Sequence, residues 1–220
     1  MNRNYSNLMI VLGTMLLAAA LFLVVYNLHE DRQSGAASIE ILRELKQEIT
    51  KNTPTETTEA VFTVPMPSED AFYEQYEEKT TEETAAPTDP TAELDGRYYA
   101  GVLTIPVLGV ELPVMQDWSY ANLRLAPCRY AGSAAAGDLI LAAHNFSSHF
   151  GEIQSLNTGD EIRFTDTAGT VYVYEVLQTE MIGGYDVETM KSGADEWDLT
   201  LFTCTISGRS RVSVRAILVE

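Results

Sequence analysis

The first long pattern in the chain is unbroken apolarity. Leu8 to Leu28 carries no charged side chain, and its core reads LMIVLGTMLLAAALFLVVY. A helix of that length crosses a bilayer. A cleaved leader would have a shorter apolar core ending near a small-x-small site, whereas bulky residues here continue from Phe22 to Tyr26; that favours an uncleaved anchor. Arg3 precedes the span and acidic residues dominate the chain beyond it, so residues 1–7 are expected in the cytoplasm and the bulk outside. From Ser38 to Thr50 the pattern turns helical, with Leu42, Leu45 and Ile49 on one side. Ser38 is its expected cap. The expectation for 29–51 is a juxtamembrane helix resting on the domain or the lipid surface, with too few heptads for a coiled-coil dimer.

Residues 52–95 lose the pattern. The stretch is rich in Thr, Glu and Pro, with strong like charge. It buries too little surface to offset its conformational entropy, so a disordered, self-repelling acidic stalk is expected. Within it Phe72, Tyr73 and Tyr76 cluster, either as a docking point or as ordinary linker aromatics.

From 96 to 220 the texture changes again. Short β-rich runs are expected near Tyr99–Ile105, Val110–Met115, Asp138–His144, Glu161–Thr165, Val171–Met181, Leu199–Thr205 and Arg211–Val219, punctuated by glycine. In the last run Val212, Val214, Ala216 and Leu218 face one way, and Arg211, Ser213 and Arg215 the other. His149–Leu156 is the expected short helix. Many short strands in so few residues predict a mainly β domain, a closed or nearly closed barrel with short helices.

Charge narrows the function classes. With 14 basic and 32 acidic residues the formal charge is −18, which disfavours nucleic acid as a partner. The two cysteines, Cys128 and Cys204, are too few for a disulfide scaffold, and no Cys/His cluster has zinc spacing. Cys204 has three readings: a buried structural thiol, a disulfide with Cys128 in an exported domain, or a nucleophile. A nucleophilic thiol needs a base or cation beside it. Of His29, His144 and His149, His144 is best placed, at the end of a strand next to a loop. Acyl transfer also needs a donor for the oxyanion. Arg211 opens the strand after Cys204; Arg209 and Arg215 are its rivals.

These residues resemble those of a known family. Thr200-Leu201-Phe202-Thr203-Cys204 matches the TLxTC motif of sortases. Ala143-His144-Asn145 resembles the segment around the sortase histidine, and Arg211–Ala216 resembles the final strand that opens with the family's arginine. Gly101 to Val114, GVLTIPVLGVELPV, is similar to the sortase opening strands. The resemblance covers about Tyr98 to the C-terminus and implies a sortase-like closed β-barrel in 96–220.

The resemblance further implies a cysteine transpeptidase outside a Gram-positive cell. Cys204 would be the nucleophile, His144 the acid and base, and Arg211 the oxyanion partner, with Thr203 contributing a substrate hydrogen bond. The substrates would be exported proteins bearing C-terminal sorting signals of the LPxTG or NPxTN kind. The acceptor would be an amine such as that of the cell-wall precursor. No cofactor or metal is implied. A catalytically inactive peptide-binding barrel and a hydrolytic cysteine protease are the alternatives.

The chain also departs from family patterns. Ala143 stands where the family often has Gly. Met181–Asp198 is too short for the long class B helix. An Asp-Pro-aromatic lid and a second span are missing, against class C. The AGSAAAG loop before Asp138 lacks the carboxylates of a class A calcium site. Subclass stays open.

Overall fold

A computed structural model of the chain describes residues 3–52, 89–191 and 196–219. Most of the expected stalk, with Phe72, Tyr73 and Tyr76, lies outside the described residues.

The span and the juxtamembrane segment form one helix, α1 (Arg3–Asn52), of 50 residues. The expected second helix capped by Ser38 does not start there. Residues 29–37 contain no proline, and Ala36 and Ala37 favour helix, so nothing stops its propagation. Ser38 sits inside α1, and its hydroxyl donates to the carbonyl of Leu125 instead of capping. Among the described residues α1 is the one helix long and apolar enough to cross a membrane. Its side chains from Met9 to Tyr26 are largely exposed, while Leu45 and Ile49 are buried against the β domain.

That domain comprises β1 (Ala92–Leu94), β2 (Arg97–Ile105), β3 (Val110–Met115), β4 (Cys128–Ala131), β5 (Leu139–Ala143), β6 (Glu161–Asp166), β7 (Val171–Gly183), β8 (Leu199–Cys204) and β9 (Ser210–Leu218). Two short helices interrupt it, α2 (Tyr120–Leu123) and α3 (Val187–Lys191). The strand order is β1-β2-β3-β4-β5-β8-β9-β7-β6, and β6 pairs back onto β2. Eight strands, β2 to β9, therefore close into the expected barrel; β1 and β6 share the second edge of β2. Closure depends on Gly101. A Cβ there would lie 2.1 Å from the Thr165 carbonyl oxygen, at a φ of +158° that side chains rarely adopt.

Strand alternation builds two apolar clusters. Leu139, Leu141 and Ala143 of β5, Leu199 and Leu201 of β8, and Val212, Val214 and Ala216 of β9 fill the barrel. Ile140, Ala142 and Phe202 point outward to a second cluster that includes Leu45 and Ile49 of α1. Burying each such aliphatic side chain is worth roughly 1.5–3 kcal/mol.

The expected His149–Leu156 helix is instead a run of tight turns with a 3-10 turn at Ile153–Ser155. The N–H groups of Ile153, Ser155 and Leu156 reach back only three residues, to the carbonyls of Phe150, Glu152 and Ile153, which winds the backbone more tightly than an α-helix. Strands β1 and β4 and the helices α2 and α3 were not expected; each has five residues or fewer, too short to show a period.

Candidate active site

The register of three neighbouring strands brings the expected residues into one row. β5 and β8 run parallel, with Ala142 opposite Phe202 and Ala143 opposite Thr203. Ala143 ends β5, and His144 follows it at the level of Cys204. β8 and β9 run antiparallel, with Cys204 directly opposite Arg211. Cys204 shares the outward face of Phe202, His144 that of Ala142, and Arg211 that of Ser213 and Arg215. The three backbone positions thus lie side by side at one end of the barrel, with the His144 ring turned against Phe146.

Cys204 is half-buried and free, as is the fully buried Cys128; the disulfide alternative is thereby removed. Burial pushes the Cys128 thiol up to about 12, so it is inert at neutral pH. Cys204 lines a groove of about 450 Å³ together with Asn145, Phe150, Gly151, Thr203 and Ile206. A larger groove, about 600 Å³, lies between α1 and α2, bounded by Glu30, Arg97, Tyr120, Arg124 and Phe146. Residues 145–147 form the wall between the two, since Asn145 and Ser147 line one and Phe146 the other.

His144 is half-buried, and its ring stacks on Phe146 with centroids 4.8 Å apart. Its ring nitrogens have no hydrogen-bond partner among the described residues, which leaves both open to a substrate. Burial, and then the Arg124 charge, lower its pKa from the usual histidine value; Glu30 opposes them. Arg211 turns Nη1 onto the carbonyls of Gly208 (3.1 Å) and Ser210 (3.3 Å). Three N–H groups of its fork remain for other acceptors. Thr203 faces the barrel interior, opposite to Cys204. Its hydroxyl donates to the Ala143 carbonyl at 2.8 Å, so toward a substrate it retains only accepting capacity.

The rival arginines differ sharply. Arg209 is exposed in the β8–β9 turn. Arg215 is fully buried and packs 4.4 Å over the Trp197 ring. It donates to Glu180, Thr200 and the carbonyls of Met190 and Thr189. It is a structural hub joining β7, β8, β9 and α3.

One set of contacts was not foreseen. The loop after His144 is held by α1. Ser147 and Ser148 donate to the Asp31 carboxylate at 2.5 and 2.6 Å. Burial opposes ionisation of Asp31, but these bonds outweigh it and hold its pKa below the usual value. The hydroxyls of Ser34 and Ser38 lie 3.0 and 3.1 Å from Nε2 of His149. Gly35 permits the approach, since a Cβ there would meet Ser148 at 3.0 Å. The available signal was the pair of small polar residues, Ser34 and Ser38, one helical turn apart around Gly35-Ala36-Ala37.

A closed eight-stranded barrel with a thiol at the end of an inner strand defines a sortase-like fold. The family model of the sortase domain matches residues 103–219, more than half of the chain, and the chain belongs to the sortase family. It is 32% identical over 119 residues to Sortase A of Bacillus anthracis, covering 51% of this chain and 55% of that protein. The chain thus aligns with about half the length of that relative. Among solved structures, Sortase A from Corynebacterium diphtheriae superposes with a TM-score of 0.51 at 22% identity, over 56% of this chain and 62% of that one. Sortase C of Streptococcus pneumoniae gives 0.50 at 22% identity, over 56% and 66%. At that identity the structures speak for the fold alone.

Proposed function

We propose that this chain is a membrane-anchored cysteine transpeptidase that cleaves sorting signals of exported proteins and transfers the new carboxyl end to an amine. The observation that carries the reading is the strand register, in which Cys204 stands opposite Arg211 and level with His144. The thiolate of Cys204 attacks the scissile carbonyl carbon. Arg211 leaves the turn carbonyls to hold the oxyanion. The His144 imidazolium protonates the departing amine as the C–N bond breaks, leaving a thioester and a neutral imidazole. An incoming amine gives its proton to His144, attacks the thioester and releases Cys204. Thr203 accepts a hydrogen bond from the bound peptide at the groove. Burial and the Arg124 charge lower the His144 pKa, so less of its imidazolium is present at neutral pH.

The same reading places residues 8–28 across the membrane with 1–7 in the cytoplasm. Residues 29–51 continue the helix, an acidic linker follows as far as the β domain that begins with β1 (Ala92–Leu94), and that catalytic domain lies outside. The test is turnover of a sorting-signal peptide by the full chain, with and without an added amine. Cys204→Ala is expected to abolish cleavage, with Cys128→Ser retaining it. With amine present, the ligated product is expected to dominate. Hydrolysis alone, unchanged by amine, would make the chain a protease instead.

A further inference from the structure

The contacts of α1 fix the height of the active-site rim above the bilayer. An α-helix rises 1.5 Å per residue. Counting from Leu28, the last residue of the apolar span, Asp31 lies roughly 4 Å beyond it, Ser34 roughly 9 Å and Ser38 roughly 15 Å. A headgroup layer is about 5–8 Å deep on each side of the hydrocarbon. Asp31 and Ser34 are the residues that hold Ser147, Ser148, His149 and the Arg124 carbonyl. Farther along α1, Lys46 pairs with Glu111. Lys46 lies roughly 27 Å beyond Leu28, so along α1 the loop that follows His144 is the part of the barrel nearest the lipid.

That rim is composed accordingly. The β8–β9 turn exposes Ile206 completely and the segment after β7 exposes Tyr185 at 99%. Beside α2, the Trp118 and Tyr120 rings pack at a tilt with centroids 5.2 Å apart and substantial exposure. Aromatic side chains of this kind settle at membrane interfaces. In a chain of net charge −18 the same end carries exposed Arg97, Arg124 and Arg209. Among the described residues only Arg124 of the three has a carboxylate partner, Glu30 at 3.9 Å. Cations here complement lipid phosphates.

We propose that the active-site rim of the barrel rests in the phospholipid headgroup layer of the membrane crossed by its own helix. Ile206 and the aromatics dip between headgroups, and Arg97 and Arg124 meet phosphates at the groove beside α1. The proposal rests on the reading of residues 8–28 as a span, and the test separates the two. The full chain, with isoleucine and valine methyls isotopically labelled, is placed in phospholipid nanodiscs. Paramagnetic lipids, labelled either at the headgroup or in the acyl chain, then broaden the nearby methyls. Ile10 reports the span, Ile206 the rim, and Val107 the β2–β3 turn, close in sequence to the Glu111 that pairs with Lys46 and so distant from Leu28 along α1. The expected result is Ile10 broadened by the acyl label, Ile206 by the headgroup label, and Val107 by neither. Ile206 as sharp as Val107, with Ile10 broadened, overturns the proposal and leaves the anchor intact. Ile10 left sharp overturns both.

Discussion

His149 offers the sharpest test of how α1 is fastened to the domain. The hydroxyl protons of Ser34 and Ser38 are spent on the carbonyls of Arg124 and Leu125, at 2.6 and 2.5 Å. Their oxygens must therefore accept from His149, which fixes the neutral tautomer with hydrogen on Nε2. Nδ1 is buried without a partner. A second proton would sit on Nδ1 with no acceptor. Burial, with the nearby His144 adding to it, accordingly lowers the His149 pKa from 6.5 to about 4. Between those values the unfolded chain binds the proton and the folded chain does not. Stability is full above about pH 6.5 and falls as pH drops toward 4. At 1.36 kcal/mol per unit the loss is about 3 kcal/mol. His149→Gln keeps an amide donor near the Nε2 position and cannot titrate. Urea unfolding of both chains in micelles, from pH 7.5 to 4, is expected to show the native chain losing that amount relative to the variant. The imidazole resonance should titrate near the low value. Stability curves that run parallel within about 0.5 kcal/mol, or titration of His149 at 6.5 or above, would refute the buried-tautomer argument.

Three further outcomes are expected from the site and its supports. Arg211→Lys keeps the charge but loses the planar fork, so single-turnover acylation of Cys204 should fall on the order of 10²-fold, while Arg209→Ala leaves it within a few-fold. Arg215→Ala strands the Glu180 carboxylate and Thr200, and thermal unfolding should show a loss of about 2–3 kcal/mol, moderated because Glu180 is partly solvated. Protease added to intact protoplasts should nick the chain within 53–88 without releasing the barrel, since α1 still holds it through Asp31, Ser34, Leu45 and Ile49; free soluble fragment after nicking alone would argue against that docking.

The barrel was legible in the sequence because its long strands alternate cleanly. Val212, Val214 and Ala216 announce an inner face, and Phe202 and Cys204 an outer one. The row of His144, Cys204 and Arg211 was legible from the motif segments, yet motifs carry no register, and only strand pairing makes the three neighbours. Arg215 reads from sequence as another strand arginine; its burial depends on Trp197, Thr200 and Glu180 converging from separate segments. The docking of α1 was illegible for the same reason. Asp31 and Ser34 look like solvated helix residues until the loop carrying Ser147 to His149 meets them.

The parallel pairing of β5 with β8 also bears on the order of assembly. Thr203 and Ala143 touch across 60 residues of chain, and nothing nearer in sequence brings the imidazole to the thiol. Contacts of such span form late, because the loop entropy between them is lost before the contact is gained. Hairpins such as β6–β7 and β8–β9 close early and place only Arg211 beside Cys204. On the proposed reading, the thiol would stay without its acid until the rest of the barrel had closed, and closure would be the step that activates it.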